Sequence, residues 1–368
     1  LPILADMPFA KLLELRAAVR LSEYSISGYT DSWSFSGNEQ TWYNISWLWD
    51  IMLSVIHDLS GVKGLFIFSA FGPALIIALL LVSLRKRCDI GVNATIFMGL
   101  ITGYCMLWLP NARPQIAGMF FALTFHHILH LTRKQPHASL VFLLPLVMVL
   151  WVNIHGSFFA AFIIIGAYGI EAIITKNIVW LRRLLLVGVL CLLASLINPY
   201  GIYIVTAVAR TLDSVVAKYL VEWQPFVFGK YIGISLWILA FIGFSNLRAD
   251  NTHIADKILA VVWLLALLFA TRNITMLVIL GAPYLASNLP ADNLKDSNTR
   301  KIIAWINDLH FSPILAGLIP VALISSYFLL PILDADHYLE DAKHSPMPAI
   351  NYVAENYAGN RVLNDYDY

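Results

Sequence analysis

The sequence is dominated by a regular succession of apolar runs separated by short polar turns, and this pattern restricts the fold more than any single motif. Ten runs stand out, near 64–84, 92–109, 115–132, 138–153, 157–175, 182–197, 231–246, 255–270, 274–289 and 312–332. A helix needs roughly 20 apolar residues, with a range of about 17–25, to cross a bilayer. Several runs fall short of that, and the two around His155 read either as one broken helix or as two crossings joined by a tight polar turn. Only 13% of the 368 residues are charged and 59% are hydrophobic. A soluble domain carries about a quarter charged residues. The composition therefore excludes a soluble enzyme and a disordered chain. The formal net charge of +1 leaves no basic excess for a nucleic acid. The expected fold class is an all-α polytopic membrane protein with about ten membrane helices. Its 11 Trp, 16 Tyr and 20 Phe suit a chain with two membrane interfaces to anchor.

Three regions are expected. Residues 1–61 form an external loop with amphipathic surface helices; in the first of these, Leu12, Leu13, Leu15, Ala18, Val19 and Leu21 alternate with Lys11, Glu14, Arg16 and Arg20. Residues 62–333 form the transmembrane bundle. Residues 334–368 begin an external domain, with a linker at Pro346–Ala349 leading into a helix and a strand at Arg361–Leu363.

Charge orients the bundle. With residues 1–61 outside, the short inner loops hold Arg85, Lys86, Arg87, Arg133, Lys134, Lys176, Arg182, Arg183, Arg248, Lys257, Lys295, Arg300 and Lys301, which is 13 of the 24 basic residues. Positive density in short loops marks the cytoplasmic side. Cys88, Cys105 and Cys191 show no metal or disulfide spacing and read as small buried hydrophobes.

Polar residues at the edges of the runs gather on the opposite face. They are Asp6, Glu14, Trp47, Asp50, Arg113, Trp151, Asn153, His155, Asn198, Tyr200, Glu222, Trp223 and Arg272. Such residues are costly at a membrane edge unless they face a cavity or one another. Arginine grips phosphate oxygens with a planar fork, a carboxylate can act as a general base or hold a cation, and aromatic rings stack on sugars. The expected chemistry is transfer of a sugar from a lipid-linked phosphate. The bland reading of each residue alone is a helix stop (Asn198 to Gly201), a cap (His155) or a snorkelling anchor (Arg113, Arg272).

The ordered motifs Asp31–Phe35 with Trp42–Leu48, Arg113–Gln115, Trp151–Ser157, Asn198–Gly201, Glu222–Pro225 and Val362–Asp367 resemble large bacterial inner-membrane proteins of the glycosyltransferase-C type. The resemblance covers nearly the whole chain. It implies a helix before Leu1, a polyprenyl-phosphate sugar donor, and transfer on the periplasmic face of a multi-pass inner-membrane protein. It places the catalytic carboxylate at Asp6; in the enzyme reading Arg113, His155 and Arg272 are the donor-phosphate ligands. Glu14, Asn153, Glu222, Trp151 and Tyr200 are candidates for acceptor or supporting contacts, and a divalent cation is a candidate cofactor. Such proteins often carry two acidic residues where this chain has Ala5-Asp6-Met7, and His-Glu where it has Ile45-Ser46. Two alternatives therefore stand beside the enzyme: an inactive scaffold subunit working with other membrane proteins and lipid, and a transporter or polymerase of lipid-linked glycans.

Overall fold

A computed structural model describes residues 29–30, 41–88, 90–106, 113–135, 139–213, 220–228, 234–235, 237–239 and 252–288. The described region is helical, apart from a two-residue antiparallel contact between β1 (Tyr29–Thr30) and β2 (Thr41–Trp42). The helices are α1 (Trp47–Cys88), α2 (Val92–Met106), α3 (Gln115–Thr132), α4 (Leu144–Ile154), α5 (Ala160–Ile174), α6 (Ile178–Ala194), α7 (Tyr203–Asp213), α8 (Ile254–Phe269), α9 (Ile274–Leu280) and α10 (Ala282–Asn288).

Local sequence explains where these helices stop. α1 breaks at Gly61, whose φ of 62° and ψ of −161° lie where a side chain is strained. The apolar part, Lys63–Cys88, then runs on for 26 residues, about 39 Å at 1.5 Å per residue. Pro145 enters α4 in its first turn, where a missing N–H costs nothing. His155 is extended and separates α4 from the single 3₁₀ turn Gly156–Phe159 that leads into α5. Asn177 caps α6 by accepting from Trp180 N–H at 3.1 Å. After α6, Asn198 folds the chain over: its Oδ1 accepts from Tyr200 N–H (2.8 Å) and its Nδ2 donates to the carbonyls of Ser195 (2.8 Å) and Gly201 (3.1 Å). Gly201 supplies the required positive φ of 53°.

α3 is the hub. It packs against α1, α4, α5 and α9, and it buries Ile116, Met119, Phe121, Ala122, Phe125, His126 and Leu129 around its circumference. α5 and α8 pack together, as do α4 and α6. Trp151, Phe121 and Phe125 meet edge to face or tilted at 5.5–5.8 Å.

The outward faces are apolar too. On α1, Ile67, Phe71, Leu75, Leu79 and Val82 form an exposed stripe; on α6, Leu185, Leu186, Val189, Leu192 and Leu193 do the same; on α8, Val261, Leu265, Leu268 and Phe269. A water-facing bundle shows polar residues on that side. Two helices, Lys63–Cys88 and Gly156–Ile174, are long and apolar enough to cross a membrane; Ala94–Met106, Ser139–Ile154 and Thr271–Leu280 are apolar but shorter. The expected tenth run, 312–332, and the region 334–368 lie outside the described residues, as do Asp6 and Glu14.

Candidate functional site

Polar side chains meet at two opposite ends of the bundle. The first end joins the starts of α1 and α3, the α4–α5 junction, the turn after α6, and the short 3₁₀ turns Val221–Trp223 and Thr271–Asn273. Arg113 Nη1 donates to Glu222 Oε2 at 2.9 Å, and Arg272 Nη1 stands 4.0 Å from Glu222 Oε1. The Arg272 guanidinium lies over the Trp223 ring, 4.0 Å from its centroid, a cation–π arrangement. Thr271 fixes the two turns together, since its N–H and its hydroxyl both donate to the Gln224 carbonyl at 2.9 Å.

Beside this lies the α4–α5 junction. His155 Nδ1 accepts from Ser157 Oγ (2.6 Å) and from Ser157 N–H (3.2 Å), and Trp151 Nε1 donates to Ser157 Oγ (3.1 Å). A ring nitrogen that accepts from a backbone N–H carries no proton, so His155 is neutral with its proton on Nε2. Burial and the positive charge of Arg272 both push its pKa down, to about 3. Gly118 of α3 makes room for this pair: a Cβ there would stand 2.4 Å from Ser157 Oγ and 3.1 Å from His155 Nδ1.

The rest of this end is tied side chain to side chain. Trp47 Nε1 donates to Asn153 Oδ1 (2.9 Å), while Asn153 Nδ2 donates to the carbonyls of Val149 (2.7 Å) and Ile197 (2.8 Å). Tyr200 OH accepts from Asn44 N–H (2.9 Å), and Asn44 Nδ2 donates to Asp50 (2.7 Å). Of the residues selected from the sequence, Arg113, Glu222 and Arg272 meet directly. His155 adjoins Trp151 through Ser157 and feels the Arg272 charge. Asn153 and Tyr200 serve as joints of the frame. No group of three or more His, Cys, Asp and Glu side chains is placed to hold a metal ion among the described residues.

The second end was not selected from the sequence. Arg87, at the end of α1, donates through Nη2 to both Asp256 oxygens (2.8 and 3.0 Å), and His126 Nε2 donates to Asp256 Oδ1 (2.8 Å). These three side chains are 4%, 2% and 0% exposed. Next to them Arg133 pairs with Glu171 at 3.5 Å and contacts His253, whose ring lies 5.5 Å from that of His130. Glu171 Oε2 also accepts from Ala255 N–H (2.9 Å), capping the start of α8. Arg87 Nε, Arg133 Nε and His130 Nδ1 are buried with no hydrogen-bond partner among the described residues. His253 sits in the turn before α8, where burial and the Arg133 charge lower its pKa to about 4. The signals for this knot were present: Glu171 is a lone acid inside an apolar run, Asp256 opens another, and His126, His130 and Arg133 follow one face of α3.

No protein-family model, curated protein or solved structure matches the chain.

Proposed function

We propose that the chain is a multi-pass membrane protein whose Arg113–Glu222–Arg272 end binds the phosphate of a lipid-linked sugar and supports glycosyl transfer at the outer face of a bacterial inner membrane. The observation that carries this reading is the convergence of two arginines, from the start of α3 and the start of α9, on one side of the bundle. They face a half-exposed carboxylate and a tryptophan, with neutral His155 beside them. The embedding is supported by the exposed apolar stripes of α1, α6 and α8, which suit lipid as solvent. The basic residues at the opposite end support the orientation.

In the proposed reaction the bond between the sugar's anomeric carbon and the phosphate oxygen breaks, and the polyprenyl phosphate leaves with the electron pair. An acceptor hydroxyl attacks that carbon and gives its proton to a carboxylate, the role assigned to Asp6. Arg113 and Arg272 stabilise the charge that grows on the leaving phosphate. Asp6→Asn is expected to abolish sugar transfer in membranes, by about 10²–10⁴-fold, while leaving the folded protein intact. Arg113→Ala is expected to weaken donor binding. Unchanged glycan transfer by Asp6→Asn, against a null strain that has lost it, would remove Asp6 from that role.

One observation favours the scaffold reading. Asn44, Asp50, Asn153 and Tyr200 already bond with one another or with the backbone, and the Ser157 hydroxyl bonds with Trp151 and His155, so much of the polar surface at this end serves the frame. A scaffold predicts that deleting the chain dissolves a membrane complex, and that Asp6→Asn leaves surface glycans untouched.

A further inference from the structure

Glu222 sits where an incoming phosphate would sit. Its two oxygens face different arginines, Oε2 at 2.9 Å from Arg113 and Oε1 at 4.0 Å from Arg272. Two oxygens of a phosphate bridging the same fork would do the same. The match is incomplete, because Arg272 is beyond hydrogen-bond distance and is held by Trp223 instead. Among the described residues, two positive charges stand against one negative, which leaves one positive charge over. The pair is open to water, with Arg113 45% and Glu222 35% exposed, so the carboxylate can leave for solvent at little cost.

We propose that Glu222 is an internal stand-in for phosphate: it occupies the Arg113–Arg272 fork in the empty protein and is displaced when a phosphate oxyanion enters. This rests on the reading that these arginines bind phosphate. Displacement needs no backbone movement. The turn bearing Glu222 is anchored separately by Thr271 on the Gln224 carbonyl, and Arg272 keeps its place on Trp223. An empty fork without Glu222 would hold two guanidinium groups in mutual repulsion. The carboxylate keeps them apart from other anions until a better one arrives, so it sets a threshold that weak anions do not pass.

The opposite role has the opposite sign. If Glu222 were a clamp that orients both arginines for the ligand, removing its charge would weaken binding; as a competitor, removing it tightens binding. The test is calorimetric titration of the purified full chain in detergent with inorganic phosphate and with farnesyl phosphate, for the wild type, Glu222→Gln and Arg272→Ala. Glu222→Gln is expected to bind more tightly by up to about fivefold, the range for loss of a partly exposed ion pair, and Arg272→Ala to lose binding. Glu222→Ala should shift affinity in the same direction as Glu222→Gln. Tightening with farnesyl phosphate alone identifies a lipid phosphate as the source, and tightening with both shows that the phosphate group suffices; each upholds the proposal. Weaker or unchanged binding by Glu222→Gln, with the wild type binding normally, overturns the stand-in and leaves the phosphate site standing. No binding by wild type and Glu222→Gln alike overturns both.

Discussion

The two ends of the bundle use the same residue types in opposite ways. At the Glu222 end the ion pairs are partly exposed and join short turns; at the Asp256 end the charges are buried and join helices. Arg87 comes from α1, His126 from α3 and Asp256 from α8, so one carboxylate ties three helices. Removing one member of a buried pair strands the others without water. Removing one member of an exposed pair lets solvent replace it. The contrast fits a structural role for the buried end and, on the proposed reading, exchangeable binding at the exposed end.

The largest expected effect tests the buried end. Asp256→Ala leaves Arg87 and His126 buried without their counter-ion and should destabilise the fold by about 3–5 kcal/mol, read as a loss of folded protein on thermal unfolding in detergent. A variant as stable as the wild type would show that water reaches this end and would erase the contrast.

Gly118→Ala comes next. The added methyl would meet Ser157 Oγ at 2.4 Å, so Ser157 must turn off His155 and Trp151 or α3 and the α4–α5 junction must separate, at a cost of about 1–3 kcal/mol. A melting temperature equal to the wild type's would mean that the junction is looser than its hydrogen bonds indicate.

A smaller effect comes from pH. The folded pKa of His253 is depressed from 6.5 to about 4, so the folded state resists its protonation. The stability this contributes is fully present above about pH 6.5 and is lost as pH falls toward 4. Melting temperature should decline across that window, and His253→Asn should decline less. Equal slopes for the two proteins would remove His253 as a source of the acid sensitivity.

The smallest effect on stability belongs to Arg272→Ala. Its pair with Glu222 is long and partly exposed, and such pairs contribute about 0–1 kcal/mol; its contact with the Trp223 ring adds about 0.5–1 kcal/mol. The melting temperature should fall by less than in any of the variants above.

The sequence made the helices legible where polar turns punctuated them. The run 115–132 became α3 with the same limits, the run at 255 became α8 with each end shifted by one residue, and the run at 92 became α2 with the same start, residues 107–109 lying outside the described residues. The run 274–289 is divided at Gly281 into α9 and α10, a break that continuous apolarity conceals. α7 escaped notice because its apolar residues are interrupted by Thr206, Arg210 and Thr211 and so form no continuous run: Ile204 and Ala207 are buried while Thr206 and Arg210 are exposed. Reading by runs of apolarity passes over such a helix. The meeting of Arg113, Glu222 and Arg272 was readable only as shared sidedness, since nothing in spacing shows which carboxylate stands between two arginines. The Asp256 knot was missed for a related reason. Its members were counted as inner-loop charges or passed over inside apolar runs, and their pairing depends on how α1, α3, α5 and α8 pack.

The most direct test of the contrast compares Arg272→Ala and Asp256→Asn with the wild type in a single preparation, measuring farnesyl phosphate affinity and melting temperature together. The expected result is a division: Arg272→Ala melts close to the wild type and loses binding, while Asp256→Asn melts much earlier and, below its melting point, binds as the wild type does. Arg272→Ala binding at wild-type affinity, or Asp256→Asn losing binding while fully folded, would contradict the assignment of ligand to one end and structure to the other.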